Sequence, residues 1–175
     1  MKVTDGIVIF GANGSGKTTL GHELAKALNF KHIDVENYYF DKSDIFYQHP
    51  HTKDDVIREM LADIKRHGAF VFSGVTGDYG DEIVSMFKLG IFLSAPVDLR
   101  MERIRNRAIE KHGERAMPGG DIYEDRERFI KFAQTRNLEV IDKWADTLTC
   151  PIIQIDSAKP ISEIVSSVME AYHAL

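Results

Sequence analysis

Apolar and polar residues are grouped in blocks along the chain. Ile7-Val8-Ile9-Phe10 is an unbroken apolar run, and four further apolar runs follow, a short one at His32-Ile33 and then 69–72, 91–93 and 152–155. Short continuous runs of this kind predict strands buried on both faces. Between them the apolar positions fall at helical spacing. Residues 19–28 predict one helix, and 53–66 a second, with Val56, Ile57, Met60, Leu61 and Ile64 on one face and His67-Gly68 as a stop. A short helix over 81–87 is expected to end near Gly90, with Asp81 as its N-cap. Further helices are expected over 98–111 behind Pro96, over 122–144 as one long element, and over 162–174 behind Pro160. Strands alternating with helices call for an α/β fold, a parallel sheet covered on both faces.

Composition fits that picture. The chain has 175 residues, 43% hydrophobic and 28% charged, with only 5 prolines, which describes a globular protein with a sizeable core. No repeat, low-complexity tract or linker divides it, so residues 1–175 are read as one domain. No apolar stretch approaches a membrane span, and Met1-Lys2-Val3-Thr4-Asp5 lacks a secretory core, so a cytoplasmic location and no membrane partner are expected. Cys150, the one cysteine, reads as a small buried hydrophobe. The net charge of −5 argues against extended nucleic-acid binding. Residues 100–115 run the other way, with six basic residues against three acidic ones, as suits a small anion.

The first apolar run leads straight into Gly11-Ala12-Asn13-Gly14-Ser15-Gly16-Lys17-Thr18, which fits G-x-x-x-x-G-K-[ST]. Gly11, Gly14 and Gly16 let the backbone turn its N–H groups inward around a polyphosphate. Lys17 adds a point charge, Thr18 can ligate Mg²⁺, and the helix that follows, from Thr19, directs its N-terminus at the same anion. Nucleotide contact is therefore expected from Gly11, Asn13, Gly14, Ser15, Gly16, Lys17, Thr18 and Thr19.

Ligands of such sheets bind beyond the carboxyl ends of the strands. After the second run comes Asp34-Val35-Glu36, whose two carboxylates, two positions apart, share a face if the chain stays extended. The third run ends in Ser73-Gly74 without a carboxylate, so Asp34 is the candidate for Mg²⁺. Glu36 is read as a general base or as hydrogen-bond acceptor for a substrate hydroxyl. Gly74 and Thr76, in the loop after the third run, are expected to face the acceptor. Tyr38, Tyr39, Phe40, Phe46 and Tyr47 either line an acceptor pocket or pack a small subdomain, and His49-Pro50-His51 reads as a loop. Arg103 and Arg107 sit one turn apart beside a Gly/Pro flap that carries Arg115; Arg126, Arg128 and Arg136 carry less weight.

With these motifs in this order, the chain resembles the small-molecule P-loop kinases of the adenylate kinase and shikimate kinase group. The resemblance implies a three-layer α/β/α sandwich with a five-stranded parallel sheet in the order 2-3-1-4-5. It implies an acceptor-binding region near residues 35–67, a lid near 108–128, and ATP with Mg²⁺ as cofactors. By this likeness Lys17, Asp34, Arg103 and Arg107 are catalytic, Arg103 also meets the nucleotide, Thr18 and Asp34 hold the metal, and Glu36, Gly74, Thr76 and Arg115 meet the acceptor. Nucleoside monophosphate kinases carry an arginine soon after the third strand, and shikimate kinases a Gly-rich triplet; neither stands here. The acceptor is left unnamed, and a lining of Thr76, Asp78 and Glu36 points to a neutral or cationic hydroxyl compound. The alternative is a nucleotide-binding regulatory or interaction module. A GTP switch is disfavoured by the lack of N-K-x-D and D-x-x-G segments.

Overall fold

The computed structural model describes residues 4–40 and 50–175. Phe46, Tyr47 and His49 lie outside the described residues. Five strands, β1 (Gly6–Phe10), β2 (Lys31–Asp34), β3 (Phe70–Gly74), β4 (Phe87–Ser94) and β5 (Ile152–Asp156), form one parallel sheet in the order β2-β3-β1-β4-β5. This is the order the resemblance implies.

Alternation along β1 builds two cores. Val8 and Phe10 face α3 (Lys53–His67), where Val56, Met60 and Ile64 pack with Phe70 and Phe72. Ile7 and Ile9 face the other way, onto Leu20 and Leu24 of α1 (Lys17–Leu28) and Ile164 and Val168 of α8 (Ile161–His173). Each such side chain contributes about 1.5–3 kcal/mol when fully buried, so the central strand is the best-anchored part of the molecule. Helix α3 is capped as its sequence dictates: Thr52 accepts from the Asp55 amide at 3.2 Å, and Lys65, Arg66 and His67 complement the C-terminal end. Half-buried Cys150 packs against the first core, and burial pushes its thiol up.

Four elements depart from expectation. Helix α4 is only Asp81–Val84, its N-cap is Gly80, and Phe87 already belongs to β4. Gly90 is not a helix stop but a mid-strand residue, where an added Cβ would stand 3.0 Å from the Ile152 side chain. Strand β2 does not run on through Glu36, because Val35 is already helical and α2 occupies Glu36–Tyr39. The long helix over 122–144 is two: α6 (Tyr123–Thr135) and α7 (Glu139–Ala145). The backbone leaves the helix at Arg136, whose ψ is 134°, and the Asn137 side-chain oxygen accepts from the Glu139 amide at 2.9 Å where α7 begins. Between β4 and α6 the chain runs through α5 (Val97–His112) and a tight turn at Gly113–Ala116. Among the described residues no helix is long and apolar enough to cross a membrane.

Candidate active site

The loop between β1 and α1 is shaped as its glycines allow. Gly11, Gly14 and Gly16 have φ of 148°, 80° and 96°, and a Cβ on Gly14 would run into the Arg100 carbonyl. Inside the loop Ser15 Oγ is fully buried and has no hydrogen-bond partner among the described residues. A buried orphan donor at a cradle of glycines fits a phosphate oxygen. Lys17 Nζ donates to the Ala12 carbonyl at 2.8 Å. Burial of its ammonium lowers its pKa from 10.5 to about 8, although Glu36 and Asp34 pull the other way.

Three arginines meet this loop from outside. Arg100, itself buried, donates to the Asn13 carbonyl at 3.1 Å. Arg103 donates to the Ser157 hydroxyl and carbonyl, both at 2.8 Å, and to the Ser15 carbonyl at 3.4 Å. Its fork thus ties the phosphate loop to the turn before α8. Arg136 Nη1 reaches the Asn13 side-chain oxygen at 3.2 Å.

A cleft of about 280 Å³ opens above the loop. Its floor is Asn13, Gly14, Gly16, Lys17, Thr18 and Thr19, and its far wall is Asp34, Glu36, Gly74, Thr76 and Tyr79 from the ends of β2 and β3. Arg107 and Arg136 close the side. Asp34 is 7% exposed and accepts from the Glu36 backbone amide at 3.3 Å, and both residues line the cleft although Glu36 is helical. Beside Asp34, buried Ser73 shares a 2.8 Å hydrogen bond with His32 Nε2, and burial holds that imidazole below its usual pKa. Hard oxygens on Thr18 and Asp34 suit Mg²⁺, which normally takes one or two protein ligands and completes its shell with phosphate and water. The described residues hold no cluster of three or more His, Cys, Asp or Glu that could bind a metal unaided. A second cavity, about 550 Å³, lies on the other side of the loop between α1, α5 and the start of α8, with Arg103, Asn106, Glu110, Ser157 and Lys159 around it.

Two expected residues are elsewhere. Arg115 does not meet the acceptor side; it holds Asp121 through two hydrogen bonds of 2.9 and 2.6 Å on the exposed flap, where an intact bidentate pair fixes its direction. Asp78 does not line the cleft; it is exposed and lies 3.5 Å from Lys53. His51 Nδ1 shares a hydrogen bond of 3.0 Å with the Tyr38 carbonyl. Arg136 is the residue underweighted from sequence: it reads as mid-helix until the break between α6 and α7 is seen, and that break is what frees it to face Asn13.

The fold and cleft have counterparts. A family model described as "AAA domain" matches residues 7–131. The uncharacterized protein YqaC of Bacillus subtilis is 31% identical over 173 residues, 94% of this chain and 95% of its own. The shikimate kinase of Enterococcus faecalis is 22% identical over 166 residues, 86% of this chain and 97% of its own. Among solved structures, a sugar kinase from Janibacter sp. shares the fold with a TM-score of 0.55 at 16% identity, covering 95% of this chain and 93% of that one. The family match over residues 7–131 and the relative aligned over nearly its whole length give the family: the chain belongs to the AAA domain family, and a small-molecule kinase is among its relatives.

Proposed function

We propose that the protein transfers the γ-phosphoryl group of Mg·ATP to a hydroxyl of a small-molecule acceptor. One observation supports this above the rest: the phosphate loop and the carboxylates Asp34 and Glu36 form opposite walls of a single cleft. A nucleotide-binding interaction module would need only the first wall.

In this reading the loop amides, the N-terminus of α1 and Lys17 hold the β- and γ-phosphates, Lys17 exchanging the Ala12 carbonyl for a phosphate oxygen. Thr18 and Asp34 would hold Mg²⁺, which supplies charge neutralisation on the phosphates. Arg107 and Arg136 meet the charge that builds on the transferring group, where planar guanidinium donors are most effective. Glu36 accepts a hydrogen bond from the acceptor hydroxyl and takes its proton as the new O–P bond forms. The bond to the β,γ-bridging oxygen breaks in line, and its electron pair leaves with ADP. Gly74 and Thr76 position the acceptor, residues 35–40 and 50–67 belong to its binding region, and the 108–128 region acts as a lid that excludes water. Arg103 supports the nucleotide side from its seat on Ser157.

The test is ADP release from Mg·ATP across nucleosides, sugars, polyols and amino alcohols, with Lys17→Ala alongside. Acceptor-dependent release that disappears in Lys17→Ala is expected. Tight ATP binding with no acceptor-dependent release would return the module reading, and full turnover by Lys17→Ala would refute the site.

A further inference from the structure

A third cavity, of about 200 Å³, lies beside the phosphate cleft between the end of α2 and helices α5 and α6. Phe40, Ile104, Ala108 and Phe129 give it apolar walls, and Glu36, Arg107, Lys111, His112 and Arg126 also line it. Among the described residues none of the phosphate loop lines it. It joins the phosphate cleft through Glu36, Phe40 and Arg107, which line both. The larger cavity on the far side of the loop, which does touch Gly14, Ser15, Gly16 and Thr19, is the natural place for the nucleotide base. Whatever fills the apolar slot therefore approaches the transferring phosphoryl group past Glu36, from the acceptor side.

The slot also restricts what that occupant is. Burying an unpartnered hydroxyl against apolar walls costs about 1–3 kcal/mol, whereas each Å² of apolar surface buried gains about 25 cal/mol. An open-chain polyol or sugar acid, polar at every carbon, leaves the surfaces of Phe40, Ile104, Ala108 and Phe129 without an apolar partner. A single flat ring has: apolar cavities of about 150 Å³ take up benzene, and this one is somewhat larger. Lysine and arginine only donate hydrogen bonds, so Lys111 and Arg126 favour a ring whose rim carries acceptor atoms, a carbonyl or a ring nitrogen. We propose that the acceptor is a ring-bearing alcohol, with its flat heteroaromatic ring in the slot lined by Phe40 and Phe129 and its hydroxyl carried out to Glu36 and Asp34. A nucleoside and a hydroxymethyl-substituted heteroaromatic share this chemistry. The inference rests on the phosphotransferase reading and narrows it.

The experiment compares uridine and pyridylmethanol with glycerol and gluconate as acceptors for Mg·ATP, in the wild type and in Ala108→Leu and Ala108→Phe, which fill the slot from α5 in two steps. Saturation-transfer NMR with pyridylmethanol follows ring binding apart from turnover, and a thermal shift with Mg·ATP shows that each variant is folded. A ring alcohol is expected to be used with a kcat/KM at least about tenfold above either polyol, and its KM to rise through Leu to about tenfold in Phe. The pyridylmethanol signal weakens in the same order. Preference between the two ring alcohols separates a nucleoside from a simpler heteroaromatic. A polyol used as well as the ring alcohols, or a pyridylmethanol signal unchanged in folded variants, overturns the slot assignment. If no alcohol promotes ADP release yet the NMR signal is still lost in the variants, the slot stands and the phosphotransferase reading falls. If neither variant folds, the wild-type comparison of ring alcohols with polyols decides the question.

Discussion

Arg136 donates from Nη1 to the side-chain oxygen of Asn13 at 3.2 Å, joining the C-terminal end of α6 to the tip of the phosphate loop across 123 positions of sequence. The Asn13 carbonyl is held separately by buried Arg100 at 3.1 Å. The loop tip is thus fixed by one arginine and only touched by another. Arg136 also lies over the Phe132 ring, 5.6 Å from its centroid, so its guanidinium is oriented before any phosphate arrives. Arg136→Ala is expected to lower kcat by about 100-fold with a much smaller change in the KM for Mg·ATP, as loss of a donor to transition-state charge does. Arg136→Lys restores only part, since it lacks the planar fork. Asn13→Ala removes the anchor and not the charge, so its effect should be nearer about tenfold. Steady-state kinetics of the three variants would exclude this role for Arg136 if the alanine variant kept the wild-type kcat.

Lys17 sets a pH limit. Its pKa, lowered to about 8 by burial, means that the free protein carries the ammonium below that pH and loses it above. Only the charged form holds a triphosphate well, so kcat/KM for Mg·ATP should fall through about pH 8, approaching tenfold per unit beyond it. Bound phosphate favours the charged lysine, and kcat should therefore hold to higher pH than kcat/KM. Stability moves oppositely. The folded value lies below the ordinary 10.5, so between about 8 and 10.5 the unfolded chain binds more protons, and this group's contribution rises with pH across that window. Rate profiles from about pH 6.5 to 9.5 check the first point, and a flat kcat/KM would remove Lys17 as the titrating group.

Arg103 is expected to matter to the fold as much as to catalysis. Its guanidinium satisfies the Ser157 hydroxyl and carbonyl and the Ser15 carbonyl, and Ser157 is buried. Arg103→Ala leaves those acceptors without their charged donor, at a cost of about 1–3 kcal/mol in the nucleotide-free protein. Denaturant melts without ligand measure this directly. An unchanged midpoint would mean that Arg103 serves the nucleotide alone, as its place on the lid helix first implies.

What could be read from the sequence follows from how local each signal is. The phosphate loop is legible because its glycines, Lys17 and Thr18 act within eight residues of each other, and the sheet is legible because β1 and β3 at its centre are buried along their whole length, whereas β2 and β5 at its edges carry polar or exposed positions. Asp34 is legible from its position at a strand end. Gly90 misleads because a glycine inside β4 looks the same as one that stops a helix, and the difference lies in Ile152 from a distant strand. Arg136 is obscured by an apolar spacing that runs on through Asn137, although the backbone leaves the helix at Arg136 itself. Arg115 and Asp78 look like site residues because charge is visible in sequence, whereas their partners Asp121 and Lys53 are known only from the fold. The hydrogen bond between Ser73 and His32 joins neighbouring strands 41 positions apart and leaves no local trace.

Gly14 and Gly119 separate two costs that a glycine substitution can carry. Both have positive φ, 80° and 91°, so alanine at either pays for a backbone that side chains disfavour, about 1–2 kcal/mol. At Gly119, on the flap, an added Cβ meets nothing within 4 Å, and strain is the whole cost. At Gly14 the same Cβ enters the Arg100 carbonyl, so loop or helix must move, and the loop amides move with it. Gly119→Ala should therefore lower the melting temperature slightly and leave ATP affinity within about twofold. Gly14→Ala should weaken Mg·ATP by about tenfold or more, because the amides that face the phosphates no longer converge. Calorimetric titration with Mg·ATP on both variants measures the difference. Equal affinities would show that the collision at Arg100 is absorbed without reshaping the phosphate loop, and the geometric role assigned to Gly14 would have to be withdrawn.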